Sequence, residues 1–177
     1  MVNYNARRFY CRSCDTDEPL MFSHVDNSGQ INMVDISSKK TTKRMAYAQC
    51  RVLLGTDVIK KIRENNMKKG DVLSTCKIAG IIAAKETSKI IPLCHQVNLS
   101  QITIDIELCE SEALIVSKCT TESKTGVEME ALTSVTVASL TMYDMCKSLN
   151  KSIKITEIKL LHKTGGKTDY YDGKKNK

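Results

Sequence analysis

The stretch "KTGVEMEALTSVTVASLTMYDMCK", Lys124 to Lys147, carries Glu130 near its start and Asp144 and Lys147 near its end. Asp144 and Lys147 are three positions apart, so on a helix they are surface neighbours. An acid and an amine in reach of one another suit general acid/base work, and they equally suit a solvated ion pair. Spacing by itself leaves both readings open. Glu128 has a structural task available, because Thr125 and Glu128 have the spacing of a capping box.

Two other regions could do chemistry. Cys94 and His95 adjoin in "IPLCHQ", where His95 could be a proton carrier or a core histidine. A Cys–His nucleophile or a metal site is disfavoured there, since neighbours in an extended loop point apart. Cations gather in "TTKR" (Thr41–Arg44), "KKGD" (Lys68–Asp71) and "LLHKTGGK" (Leu160–Lys167). Apart, they are ordinary solvated charges; brought to one cleft they would clamp phosphates, Arg as a fork and Lys as point charges. "GGKT" is not a P-loop, because the first glycine of that motif would fall on Leu161. No dinucleotide-binding G-x-G-x-x-G occurs.

These residues need elements to position them. Val127, Ala131, Val135, Ala138, Met142, Met145 and Leu149 recur every three or four positions, which predicts a helix with one core-facing stripe. Asp144 and Lys147 lie off that stripe, beside Val137 and Leu140. In "QITIDIEL", Ile102, Ile104, Ile106 and Leu108 alternate with polar residues, which predicts a strand. A hairpin through "CESE" leads to a second strand, 113–121. Strands are also predicted at 44–54 and 153–163. Helices are predicted at 57–66, capped by Thr56, and at 71–89, with Val72, Cys76, Ala79, Ile82 and Ala83 inward. Strand, helix, helix, strand, strand, helix, strand is the order of an α+β, ferredoxin-like antiparallel sheet with its helices on one face.

Composition narrows the partner. Lys and Arg outnumber Asp and Glu by 27 to 20 in 177 residues, a formal charge of +7, which favours an anionic ligand. Aromatics are 5% with no Trp, against a single-stranded nucleic-acid platform. The longest apolar run, "IAGIIAA", is far shorter than the roughly 20 residues of a membrane span. Most of the 8 cysteines fall singly in apolar segments, as in a reducing compartment. Cys11 and Cys14 lack a second ligand pair for zinc. Residues 1–32 read as an arm whose Arg-rich, acid-free start resembles a mitochondrial transit segment or its remnant, and equally a plain basic arm. Residues 33–167 form the expected catalytic domain and 168–177 a basic tail.

In order and at compatible spacing, "MVDIS", "KKGDVLSTCKIAGIIAAK", "IPLCHQ", "KTGVEMEALTSVTVASLTMYDMCK" and "LLHKTGGK" resemble the MoaC family, the cyclic pyranopterin monophosphate synthases of molybdenum-cofactor biosynthesis. The resemblance runs from Met33 to Lys167. The lead-in "SHVDNSGQINMVDIS" is more similar to eukaryotic members, which agrees with a mitochondrial matrix location, the cytoplasm being the alternative.

That resemblance implies conversion of 3′,8-cyclo-7,8-dihydroguanosine triphosphate to cyclic pyranopterin monophosphate, with loss of pyrophosphate. It implies a ferredoxin-like hexamer, a trimer of dimers with sites at subunit interfaces, and a radical S-adenosylmethionine GTP cyclase as functional partner. No required cofactor is implied, and Mg2+ assistance stays open. By motif, Asp144, Lys147 and Lys69 match catalytic positions. Leu93, Cys94, His95, Met129 and Glu130 match substrate-binding positions, Glu128 an active-site glutamate, and Arg44 and Lys163 residues at the phosphate end. A lysine crowded by cations is expected to have its pKa lowered towards a base. Gln96 and His162 depart from the family's usual residues. The enzymatic reading requires Asp144 and Lys147 to share a pocket with the distant lysines and arginine. Its competitors are a basic ferredoxin-like module for RNA or another polyanion, and an inactive scaffold.

Overall fold

The computed structural model describes residues 30–65 and 67–173. The arm's first 29 residues, with Cys11 and Cys14, lie outside the described residues. Five strands, β1 (Thr42–Leu53), β2 (Leu99–Leu108), β3 (Glu112–Ser123), β4 (Lys154–Thr164) and β5 (Tyr170–Tyr171), form one sheet in the order β2-β3-β1-β4-β5. Every neighbouring pair is antiparallel. Helices α1 (Thr56–Arg63), α2 (Val72–Lys85), α3 (Thr87–Ile90) and α4 (Glu128–Cys146) complete the chain. This is the expected α+β, ferredoxin-like arrangement, with the short α3 and β5 added.

The central strand β1 alternates strictly. Ala46, Ala48, Cys50 and Val52 are fully buried on one face, and α4 packs across them. Small residues there let α4 lie close to the sheet, and the Ser117 hydroxyl donates to the Ala131 carbonyl at 2.7 Å to pin it. The expected stripe of α4 is buried from Val127 to Met145, and only Leu149 is exposed. Each fully buried Val or Met side chain contributes about 1.5–3 kcal/mol, so this stripe sets where α4 sits.

Several local expectations are corrected. Thr56 is the first residue of α1, not its cap; Gly55 precedes it at φ 86°. Helix 71–89 breaks at Glu86, and the Thr87 hydroxyl takes up the carbonyls of Ala83 and Ala84, each at 3.1 Å. Its inner face also differs. A side chain at Gly80 would come within 3.0 Å of the Ser134 carbonyl, so α2 rolls its glycine onto α4. Ile78 and Ile82 consequently turn outward, 59% and 56% exposed. The capping box does not form either. Val127 is the N-cap of α4 with no side-chain cap, which leaves Thr125 too far upstream to bond the first turn.

Candidate active site

Released from capping, the Glu128 carboxylate pairs with the Lys163 ammonium at 3.0 Å. This contact marks the seam between two adjoining cavities at the start of α4. The first, about 370 Å³, is lined by Leu93, Cys94, His95, Met129 and Glu130. The second, about 240 Å³, is lined by Arg44, Lys124, Lys163 and Lys167, with Gly166 and Thr168 alongside. Lys39, Thr125, Gly126 and Glu128 border both. The trough is therefore apolar and acidic at one end and cationic at the other, a shape and charge that suit a heterocycle carrying phosphates.

Glu130 is the unusual member. It is 3% exposed, and its Oε2 has no hydrogen-bond partner within the chain. Burial raises its pKa to about 7, with the negative charge of Glu128 adding to the effect. A carboxyl so placed exchanges a proton near neutral pH. The Cys94 thiol is pushed up by burial and by the two glutamates, so it is a wall of the cavity, not an activated nucleophile. Arg44 donates from Nη2 to the Lys124 carbonyl at 3.4 Å, while its buried Nε is unpaired.

At the other end of α4, Asp144 accepts from Lys69 at 2.6 Å and from Lys147 at 2.7 Å. Lys69 also donates to the Asp144 carbonyl at 2.9 Å. Hydrogen bonds from Lys147 and then Lys69 hold the carboxyl at about 2. The carboxylate in turn raises the Lys147 pKa, which reverses the expectation of a lowered one. Within the chain, Lys147 is a protonated acid beside an ionised Asp144.

The sequence-predicted residues thus form two groups. Asp144 and Lys147 meet Lys69, as required. They do not meet Arg44 or Lys163, because Glu128 and Asp144 are sixteen positions apart on one straight helix. That is about 24 Å at 1.5 Å per residue. One chain does not bring the Asp144 cluster to the cationic end of the trough. Lys39 was not singled out in the sequence, although the pair "KK" just before β1 is the same signal as "TTKR", and Lys124 stood there only as the first residue of the α4 motif. Lys124 also donates to the Ser37 carbonyl at 2.6 Å, drawing the segment that carries Val34, Ile36 and Lys39 over the first cavity.

Among the described residues, no group of three or more His, Cys, Asp or Glu side chains could hold a metal ion. No helix there is long and apolar enough to cross a membrane. His162 is stacked between Tyr47 at 5.6 Å and Tyr171 at 4.2 Å, away from the trough.

The fold is an antiparallel ferredoxin-like sheet whose long helix carries a two-part trough at one end and the ion-paired Asp144, Lys69 and Lys147 at the other. The chain belongs to the MoaC family, whose model matches residues 33–166. It is 46% identical over 151 residues to "Cyclic pyranopterin monophosphate synthase" of Peptoclostridium acidaminophilum, covering 85% of this chain and 96% of that one. It is 49% identical over 150 residues to "Cyclic pyranopterin monophosphate synthase, mitochondrial" of Arabidopsis thaliana, 82% of this chain and 55% of the relative. Against "Molybdenum cofactor biosynthesis protein 1" of Bos taurus it is 49% identical over 154 residues, 86% of this chain but 24% of the relative. The unit therefore occurs both alone and as a segment of longer proteins.

Proposed function

We propose that this chain is a cyclic pyranopterin monophosphate synthase, converting 3′,8-cyclo-7,8-dihydroguanosine 5′-triphosphate to cyclic pyranopterin monophosphate and pyrophosphate. The carrying observation is the trough: Glu130, buried with its Oε2 unpartnered, lines one cavity, and Arg44, Lys163 and Lys167 border the next. In this reading the guanine-derived rings lie against Leu93, Cys94, His95 and Met129, with Glu130 receiving ring N–H groups. The triphosphate lies among the cations, which stabilise charge as pyrophosphate leaves. Asp144, Lys147 and Lys69 move protons during ring opening and closure.

The separation along α4 supports an assembly in which the cluster of one copy completes the trough of another. A homo-oligomer built on such shared sites, a hexamer as a trimer of dimers, is part of the proposal. So are supply of the substrate by a radical S-adenosylmethionine GTP cyclase and a location in the mitochondrial matrix. Mg2+ is not required in this scheme.

Incubation with the cyclic dihydro-GTP derivative tests the reaction, scored by pyrophosphate release and a pterin that fluoresces after oxidation. Mixing and reassembling two inactive chains, Asp144→Asn and Arg44→Ala, tests the shared site. Restored turnover is expected, since some sites then combine an intact trough with an intact cluster. Inactivity of every mixture, with parent chains treated alike remaining active, refutes the division.

A further inference from the structure

We infer that residues 169–172 are a clasp that sets the phosphate-binding turn Gly165–Thr168, with Asp169 and Tyr171 as positioning residues for the substrate's polyphosphate. The inference rests on the proposed reaction and adds a specific task for residues beyond the family match, which stops at 166.

The turn cannot hold itself in place. Two consecutive glycines give it the highest conformational freedom a chain can have, so its order must come from contacts. Gly165 adopts φ 85°, and a side chain there would come within 2.0 Å of the Lys43 carbonyl. Gly166 runs so near Arg44 that a side chain would sit 3.0 Å from its Nη1. On the sheet side, Thr42 donates its hydroxyl to the Gly165 carbonyl at 2.8 Å. A further restraint comes from the clasp. The Gly165 N–H donates to Asp169 Oδ1 at 3.0 Å, closing the turn across its own base.

The clasp is itself anchored to β4. Tyr170 and Tyr171 pair with Lys163 and His162 in register. Asp172 donates its N–H to the Leu161 carbonyl at 2.7 Å and accepts from Lys159 at 2.7 Å. The Tyr171 ring lies on His162 at 4.2 Å, and His162 lies on Tyr47 of β1. His162, a departure from the family pattern, thus acts through the sheet's open face and not at the ligand. None of residues 168–173 belongs to the buried hydrophobic core, so removing the clasp leaves the fold intact. What it removes is preorganisation: a loose turn must be ordered by the ligand, and binding weakens accordingly.

The test is steady-state turnover of the full chain, of Tyr171→Ala and Tyr171→Phe, and of a chain ending at Thr168. Tyr171→Ala and the shortened chain are expected to raise KM by about three- to tenfold, the scale of one or two lost positioning contacts. Their kcat stays within about twofold, because Asp144, Lys147 and Lys69 are untouched, and Tyr171→Phe, which keeps the ring stacked on His162, raises KM less than Tyr171→Ala. Binding of inorganic pyrophosphate, followed by calorimetry, weakens by the same factor. A shortened chain whose KM and pyrophosphate affinity stay within twofold of the parent overturns the clasp, as does a loss confined to kcat. If the parent itself fails to turn over, the proposed reaction is what falls, and the pyrophosphate titration still decides the clasp.

Discussion

Replacing Glu130 by Gln removes a buried charge while keeping the shape of the side chain, and the consequence for stability is calculable. The native carboxyl holds its proton to about pH 7, against an ordinary value of 4.5. Between those values the native state binds the proton that the unfolded chain has released, so stability falls as pH rises and levels off above 7. At about 1.4 kcal/mol per pH unit, the ionised residue costs about 3 kcal/mol above pH 7.5 and nothing below pH 4.5. Gln does not titrate. Its own desolvation cost is the same at every pH, so the pH-dependent part is the quantity to compare. For a chain of this length, about 3 kcal/mol corresponds to a midpoint shift of about 6–12 °C. Thermal unfolding followed by circular dichroism at pH 5 and pH 8 should show the Gln chain gaining about that much relative to the parent between the two conditions. A difference between the chains that is the same at both pH values refutes the reasoning, and would mean that Glu130 is ionised and paired in the folded protein.

Three further outcomes follow from the site. Asp144→Asn should lower kcat by about 10²–10⁴-fold, measured by pyrophosphate release, with its unfolding midpoint unchanged because the ion pairs it loses are half exposed. Gly165→Ala should destabilise the chain by about 1–3 kcal/mol through its left-handed backbone and raise KM, as read by urea unfolding and steady-state kinetics. Lys163→Met should raise KM about tenfold and flatten its dependence on salt between about 0.05 and 0.5 M, because one of the cations bordering the phosphate end is gone.

Periodicity made the frame readable in advance. The alternation around Ile104 and the three-four stripe from Val127 to Met145 are local consequences of strand and helix geometry, so the order of the principal elements could be written from the chain alone. Residue types also marked the segments able to do chemistry: an Asp–Lys pair three apart, a Cys–His loop and three cationic segments. What spacing could not show was which pieces meet. Glu128 looked committed to a cap, yet α4 begins two residues too late for Thr125 to serve it, and the carboxylate turns to Lys163 instead. Ile82 looked inward until Gly80 allowed α2 to approach α4 and turn it out. The unpartnered oxygen of Glu130 and the raised pKa that accompanies it arise from burial in the folded chain and from the neighbouring charge of Glu128, a property that residue type and spacing alone do not carry. Local sequence determined the elements and the chemical groups they carry, because dihedral preference and hydrophobic period act within a few residues. The packed sheet and helix decided that those groups stand at two ends of a rod about 24 Å apart, because distance between side chains is set by how elements lie against each other.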